Sequence, residues 1–198
     1  MGEAKRRSAE IAKLRERQEA WRAGLSPSEM VIAQTAERLD ERLVRGRRFT
    51  EGCYYLAFFM TRFLAIRDIE VTPAVGWVND GLWKGVTSHA WIEFDGKITD
   101  ASMTLTTHPD AVPSGALIVQ DFIVRPGRAS YKYFKNNDPF VATGLDFVRT
   151  QPEWAQVLAY KEAQHLQMLE IIKENRIDEY LSRAPIGSQF SDIAALIN

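Results

Sequence analysis

The chain has 198 residues, of which 45% are apolar and 11% aromatic, and its formal net charge is −1. This length and composition fit one domain with appendages and allow a sizeable buried core. The near-zero net charge excludes a general attraction to nucleic acid or to an anionic membrane surface. Residues 1–50 carry 12 Lys/Arg against 8 Asp/Glu, while the rest carries 13 against 18, which indicates a separate N-terminal element.

The chain has one cysteine, Cys53, so an internal disulfide is excluded. The charged start of the sequence is not followed by an apolar stretch of signal-peptide length, and no apolar run is long enough to span a bilayer. We therefore expect a cytoplasmic protein.

The N-terminal third predicts three helices. Residues 3–23 are charged helix formers with a sparse apolar trace at Ile11, Leu14 and Trp21. Ser26 and Glu29 form a capping box for a second helix that stops near Gly46. Thr50 is the predicted N-cap of a third helix, which runs to about Ile66 and is apolar on nearly every side, so we expect it at the centre of the core.

The middle of the chain predicts an antiparallel sheet. Its first strand is Val71–Val78, and Ser88–Phe94 and Lys97–Ser102 form a hairpin around a two-residue turn at Asp95 and Gly96. A loop over 103–114, a β segment over Ala116–Val124 and a short strand at Tyr131–Phe134 are expected next. The C-terminal part predicts a long helix from Pro152 to about Arg183 and a last short helix near Ser188.

Cys53 is expected near the start of the third helix. With Thr50 as the N-cap it would occupy the third helical position, where backbone N–H groups lack intrahelical partners and the helix dipole favours an anion. A thiolate is stabilised there, and this makes a cysteine nucleophilic near neutral pH. Gly52 leaves room for a substrate backbone to approach.

The predicted hairpin places a histidine and an aspartate on one face. Pairing Phe94 with Lys97 and counting outward puts Asp100 opposite Trp91 and Ser102 opposite His89. Because side chains alternate between faces, Asp100 is the diagonal neighbour of His89 at about 7–8 Å, within side-chain reach. An aspartate in that place orients one imidazole nitrogen and leaves the other for a nucleophile.

Each of these residues also has an ordinary structural interpretation. A cysteine in an apolar helix is often a small buried hydrophobe, and an aspartate after a strand often bonds to nearby backbone. The pattern of all three together favours a thiol nucleophile with its base and orienting group. His108 and His165 are assigned no ligand role, and the spacing of His and Cys gives no zinc pattern.

These residues resemble the transglutaminase-like superfamily. The resemblance lies in Gly52-Cys53 at a helix start, the segment Val71–Trp77, the strand His89-Ala90-Trp91-Ile92-Glu93 and the following Asp100. It covers roughly residues 47–125 and is strongest toward small bacterial members such as lasso-peptide leader peptidases.

The resemblance implies an α+β fold with a papain-like core, in which the cysteine-bearing helix packs on an antiparallel sheet and extra helices lie at both ends. It implies Cys53 as nucleophile, His89 as general base and acid, and Asp100 as orienting residue. The chain then divides into a charged helical extension (1–24), a transglutaminase-like catalytic core (25–150) and a C-terminal helical appendage (151–198). A second oxyanion donor is expected, with four candidates: Gln34, Trp77, Asn79 and Trp83.

Three functions follow as hypotheses. The first is a cysteine peptidase or amidase, the second an amine acyltransferase of transglutaminase or arylamine acetyltransferase type, and the third a non-catalytic binding protein that retains the fold. We expect a peptide or protein substrate, no cofactor and no metal. The terminal helices are the expected contact surface for a protein partner.

Overall fold

The computed structural model describes residues 2–110 and 112–198, without the side chains of residues 2–5, 7, 8, 10 and 11. Met1 of the predicted extension and Ala111 of the predicted loop lie outside the described residues, as does the side chain of Ile11. The fold is α+β, with seven α-helices and a four-stranded antiparallel sheet among the described residues. Each helix in the described part of the chain is too short or too polar to cross a membrane.

Three helices precede the sheet. They are α1 (Gly2–Ala23), α2 (Pro27–Arg38), which continues into a π-helical segment (Leu39–Arg45), and α3 (Cys53–Ala65). The capping box at the start of α2 is confirmed, since Ser26 and Glu29 exchange hydrogen bonds through side chain and backbone. At the end of α1, the ring of Trp21 stacks on Phe122 at 4.5 Å.

The main sheet has the strand order β3-β2-β1-β6, and every neighbouring pair is antiparallel. Its strands are β1 (Thr72–Asn79), β2 (Thr87–Phe94), β3 (Lys97–Thr99) and β6 (Lys132–Phe134). The register of the β2–β3 hairpin is confirmed for its first three pairs, from Phe94 opposite Lys97 to Ile92 opposite Thr99. Beyond Thr99 the pairing changes, because Asp100 bridges to Ile118 instead of Trp91.

A second, two-stranded sheet consists of β4 (Leu117–Val119) and β5 (Phe122–Arg125). The sequence predicted one β segment here, and this was wrong. Gln120 and Asp121 have φ angles of 50° and 61°, so the chain reverses in a tight turn that contains no glycine.

Four helices complete the chain: α4 (Pro139–Arg149), α5 (Pro152–Lys173), α6 (Ile177–Ser182) and α7 (Phe190–Ile197). Helix α4 was not predicted. The predicted helix from Pro152 to Arg183 is broken at Asn175, whose φ of 55° ends α5 in a left-handed cap with hydrogen bonds back to Ile171 and Ile172.

The main hydrophobic core lies around α3, whose apolar residues contact β1 and β2. The C-terminal helices contribute to the same core through Met168, Ile171, Leu181, Ile193 and Ile197. The division at residues 24 and 150 stays a prediction. What matters for the candidate site is that the first turn of α3 is held against strand β2.

Candidate functional site

His89 and Asp100 form a buried hydrogen-bonded pair. His89 Nε2 lies 2.7 Å from Asp100 Oδ2, and the two residues are 4% and 2% exposed. Asp100 follows the last residue of β3 that pairs with β2. Its side chain still contacts His89 on the face of the sheet that was predicted from the alternation of side chains. The interaction fixes the Nε2 edge of the ring and leaves Nδ1 available for another group.

The Asp100 carboxylate accepts three further hydrogen bonds. The backbone N–H and the hydroxyl of Ser102 donate to Oδ1 at 2.8 and 2.7 Å, and the hydroxyl of Tyr133 donates to Oδ2 at 2.7 Å. Ser102 lies on the predicted shared face, whereas Tyr133 was missed by the sequence analysis. Four donors around a buried carboxylate hold it in one orientation and stabilise its charged form.

Cys53 is the first residue of α3, and its side chain is half-buried. The prediction that Thr50 caps this helix was wrong. The N-cap is Gly52, while the hydroxyl of Thr50 accepts a hydrogen bond from Thr107 at 2.7 Å. Glu51 has a φ of 59°, which turns the chain after Thr50 and delays the helix start to Cys53. Cys53 therefore has the first N–H group of the helix, which has no partner within the helix.

The electrostatics couple all three predicted site residues. Burial alone lowers the pKa of His89, but the charge and hydrogen bond of Asp100, together with an interaction with Cys53, raise it to about 10. Burial raises the pKa of Asp100, but the charge and hydrogen bond of His89 and the bonds from Ser102 lower it overall. The arrangement favours the protonated, imidazolium form of His89.

Two aromatic rings, those of Trp91 and Tyr133, pack beside the His89–Asp100 pair. The ring centroid of Trp91 lies 6.5 Å from that of His89 and 5.2 Å from that of Tyr133, which packs edge-on against it. Gly76, which pairs with His89 across the strands, makes room for this ring, because a Cβ there would lie 2.5 Å from Trp91. The rings of Trp91 and Tyr133 therefore lie beside His89.

The opposite face of β2 holds a second polar cluster, in which Tyr54, Ser88 and His165 are buried and Asn136 is exposed. The hydroxyl of Ser88 lies 2.6 Å from that of Tyr54 and 2.5 Å from His165 Nδ1, and His165 Nε2 lies 2.7 Å from Asn136 Oδ1. Burial lowers the pKa of His165 to about 4, so this ring is neutral near neutral pH. The sequence analysis gave His165 no role.

The side chains of the four predicted oxyanion donors contact residues other than Cys53 or are exposed. The Asn79 amide donates to the carbonyls of Trp83 and Gly85, and Trp77 Nε1 donates to Asn136 at 3.0 Å. The ring of Trp83 packs edge-on against Phe147. Gln34 is exposed on α2.

The described residues include no group of three His, Cys, Asp or Glu side chains that could hold a metal ion. Two surface pockets are lined by residues other than Cys53, His89 and Asp100. One is bounded by α5 and α6 around Ile171, and the other lies beside Arg62 and Ile66 at the far end of α3. The cluster of Cys53, His89 and Asp100 is the candidate site for chemistry, because His89 is hydrogen-bonded to Asp100 and coupled to Cys53.

Comparison with known proteins gives no relative from which a role could be transferred. No protein-family model matches the chain, and no curated protein or solved structure matches it significantly.

Proposed function

We propose that the protein is a thiol-dependent acyl-transfer enzyme, a cysteine peptidase or amidase of transglutaminase-like type with a papain-like core. Cys53 is the nucleophile, His89 the general acid and base, and Asp100 the orienting residue. The observation that carries the proposal is the buried His89–Asp100 pair, 2.7 Å apart, with a His89 pKa raised in part by Cys53. An imidazolium coupled to a thiol and a carboxylate is what an activated cysteine nucleophile requires.

The proposed reaction has two steps. The Cys53 thiolate attacks the carbonyl carbon of an amide, the C–N bond breaks, and the imidazolium of His89 gives its proton to the leaving amine. A water molecule then loses a proton to His89 and attacks the thioester, which releases the acid and restores the thiolate and the imidazolium. Asp100 stays ionised throughout and holds the ring in place.

The start of α3 supports charge stabilisation in both steps. The N–H groups of the first helical turn, beginning with Cys53, have no partners within the helix, because the first intrahelical bond is from Leu56 N to Gly52 O at 2.8 Å. These donors and the helix dipole favour the negative oxygen of a tetrahedral intermediate. The contact of α3 with β1 and β2 agrees with the cysteine-helix-on-sheet arrangement that the resemblance implies.

A non-catalytic binding protein is the second candidate. The observation that favours it is that Asn79 and Trp77, two of the predicted oxyanion donors, use their N–H groups in bonds to other parts of the protein. Loss of one oxyanion donor typically lowers a rate by about 10²–10³-fold. An acylation experiment separates the two candidates.

The test uses p-nitrophenyl acetate, an activated ester that reports acylation and deacylation separately. The proposal predicts a burst of nitrophenolate and an acetyl group on Cys53 detected by peptide mass spectrometry. Cys53→Ala and His89→Ala should remove both signals, while His108→Ala, which changes an exposed histidine, should keep them. Added amines that accept the acetyl group would indicate the acyltransferase alternative. A wild-type protein that shows no burst and no adduct would contradict the proposal and favour a binding protein.

A further inference from the structure

Two pairs of sequence neighbours lie where helix α3 contacts strand β2. Cys53 and Tyr54 are adjacent on α3, and Ser88 and His89 are adjacent on β2. The hydroxyl groups of Tyr54 and Ser88 lie 2.6 Å apart, on the opposite face of β2 from His89. The residue next to the proposed nucleophile is therefore hydrogen-bonded to the residue next to the proposed base.

This contact continues into helix α5 through His165. His165 Nδ1 lies 2.5 Å from the Ser88 hydroxyl, and its ring stacks on Trp77 with centroids 4.5 Å apart. Tyr54, Ser88 and His165 are 4%, 7% and 3% exposed, so water does not substitute for these bonds. Burial lowers the pKa of His165 to about 4, which keeps the ring uncharged near neutral pH.

The donor and the acceptor of each hydrogen bond in this cluster can be assigned in only one way. Asn136 Oδ1 accepts from Trp77 Nε1, and Asn136 Nδ2 donates to the carbonyl of Val75, both at 3.0 Å. His165 Nε2 must therefore carry the proton that Asn136 Oδ1 accepts, and Nδ1 must accept from Ser88. The Ser88 oxygen then accepts from Tyr54. Each donor has one acceptor, which fixes the rotamers of all the side chains involved.

We propose that His165 is a positioning residue for the Cys53–His89 pair, acting through Ser88 and Tyr54 to hold the first turn of α3 against strand β2. The inference rests on the proposed function. Proton transfer between a thiol and an imidazole needs them within hydrogen-bonding distance, and a displacement of about 1 Å can lower a rate by about 10²-fold. Helix α5, which lies outside the family resemblance, is by this inference part of the catalytic unit.

The test is the ratio of Cys53 alkylation rates by iodoacetamide at pH 6 and pH 9.5. At pH 9.5 a free thiol is largely ionised without help, so the ratio reports the Cys53–His89 pairing rather than access to the thiol. Ser88→Ala and His165→Ala remove the chain of hydrogen bonds, and we expect each to lower the ratio at least fivefold. His165→Gln keeps one acceptor and one donor and should restore part of the ratio.

Met168→Ala is the matched control, because Met168 is 3% exposed on the same helix, one turn from His165. It should lower the melting temperature and leave the ratio unchanged. Ser88→Ala removes a single oxygen, so it keeps the test valid if His165→Ala does not fold. His89→Ala reports whether the ratio depends on His89. If His89→Ala lowers the ratio but Ser88→Ala and His165→Ala leave it unchanged, as Met168→Ala should, the inference is overturned and the proposed function stands. If His89→Ala leaves the ratio unchanged, both the inference and the proposed function fail.

Discussion

Each face of strand β2 contacts a cluster that contains a buried histidine, and the pKa values of the two histidines are shifted in opposite directions. His89 and His165 are 4% and 3% exposed, yet the pKa of His89 is raised to about 10 and that of His165 is lowered to about 4. The difference lies in the partners. His89 is hydrogen-bonded to the carboxylate of Asp100 and electrostatically coupled to Cys53, whereas His165 faces the neutral groups of Ser88 and Asn136.

The comparison shows what burial does alone and what a buried charge adds. Removal from water disfavours the imidazolium in both clusters, and on the His89 face the adjacent carboxylate of Asp100 and the interaction with Cys53 reverse this. The charged cluster is suited to proton transfer, and the neutral cluster to holding a fixed geometry. Substitutions that remove or add a carboxylate next to either histidine therefore test this difference.

Asp100→Asn gives the largest expected effect, because it removes the buried carboxylate that is hydrogen-bonded to His89. The pKa of His89 should fall, the ring should lose its orientation, and hydrolysis of p-nitrophenyl acetate should drop about 10³–10⁴-fold. The rate and the imidazole NMR titration measure both changes. Asp146→Asn, at an exposed site on α4, is the control and should match wild type. An active Asp100→Asn variant would exclude Asp100 as the orienting residue.

The pH dependence of stability should differ between the two histidines. The unfolded chain binds a proton on a histidine near pH 6.5, but folded His165 does so only near pH 4, so stability falls as pH drops through this range, by on the order of 3 kcal/mol. The contribution of His89 is complete below pH 6.5 and is lost as pH rises toward 10. Urea unfolding from pH 4 to 10 measures both slopes.

The variant His165→Gln should reduce the acidic slope between pH 6.5 and pH 4 and keep the alkaline one. His89→Gln should do the reverse, since the raised pKa that produces the alkaline slope belongs to His89. Identical pH profiles for wild type and His165→Gln would show that His165 does not resist protonation in the folded protein.

Asn136→Asp supplies the charge that the His165 cluster lacks. The new carboxylate should raise the pKa of His165 from about 4 toward its ordinary value of 6.5 and reduce the loss of stability in acid. The loss of the Asn136 hydrogen bond to Val75 should lower stability at neutral pH by about 1 kcal/mol. Asn137→Asp adds the same charge at the neighbouring exposed residue and is the control. Equal His165 titrations in the two variants would contradict this account.

Tyr133→Phe is the smallest predicted effect. It removes one of four donors to Asp100, so we expect a loss of activity of about three- to tenfold and of stability of about 1 kcal/mol. Tyr131→Phe removes a comparable hydrogen bond, from Tyr131 to the carbonyl of Pro113, away from Asp100, and should leave activity unchanged. If both variants lose the same activity, Tyr133 has no specific role at the site.

Local features of the sequence predicted much of this site. The turn at Asp95 and Gly96 fixes the hairpin register, and alternation along β2 then places His89 and Asp100 together. The Asp138-Pro139 pair, an N-cap followed by a first-turn proline, is a local signal that would have found α4. The cap at Thr50 was wrong because the positive φ of Glu51 is a backbone property that its side chain does not indicate.

The contacts that were missed join distant parts of the chain. Tyr133 meets Asp100 only because β6 pairs with β1, and Ser88 meets His165 across 77 positions of sequence. For His165 a signal existed. It lies seven residues after Leu158 and three before Met168, on the same side of α5 as these buried residues, so helical periodicity already placed it facing the core.

The most direct test of the central claim is the rate of Cys53 alkylation by iodoacetamide as a function of pH, in wild type and in His89→Ala. Cys53 is the only thiol in the chain, so the signal needs no assignment. The account predicts that wild type reacts at least tenfold faster than His89→Ala at pH 6, and that the difference disappears near pH 10, where a thiol ionises without an imidazolium. Equal rates at pH 6 would contradict a working Cys53–His89 pair and leave Cys53 as a structural residue.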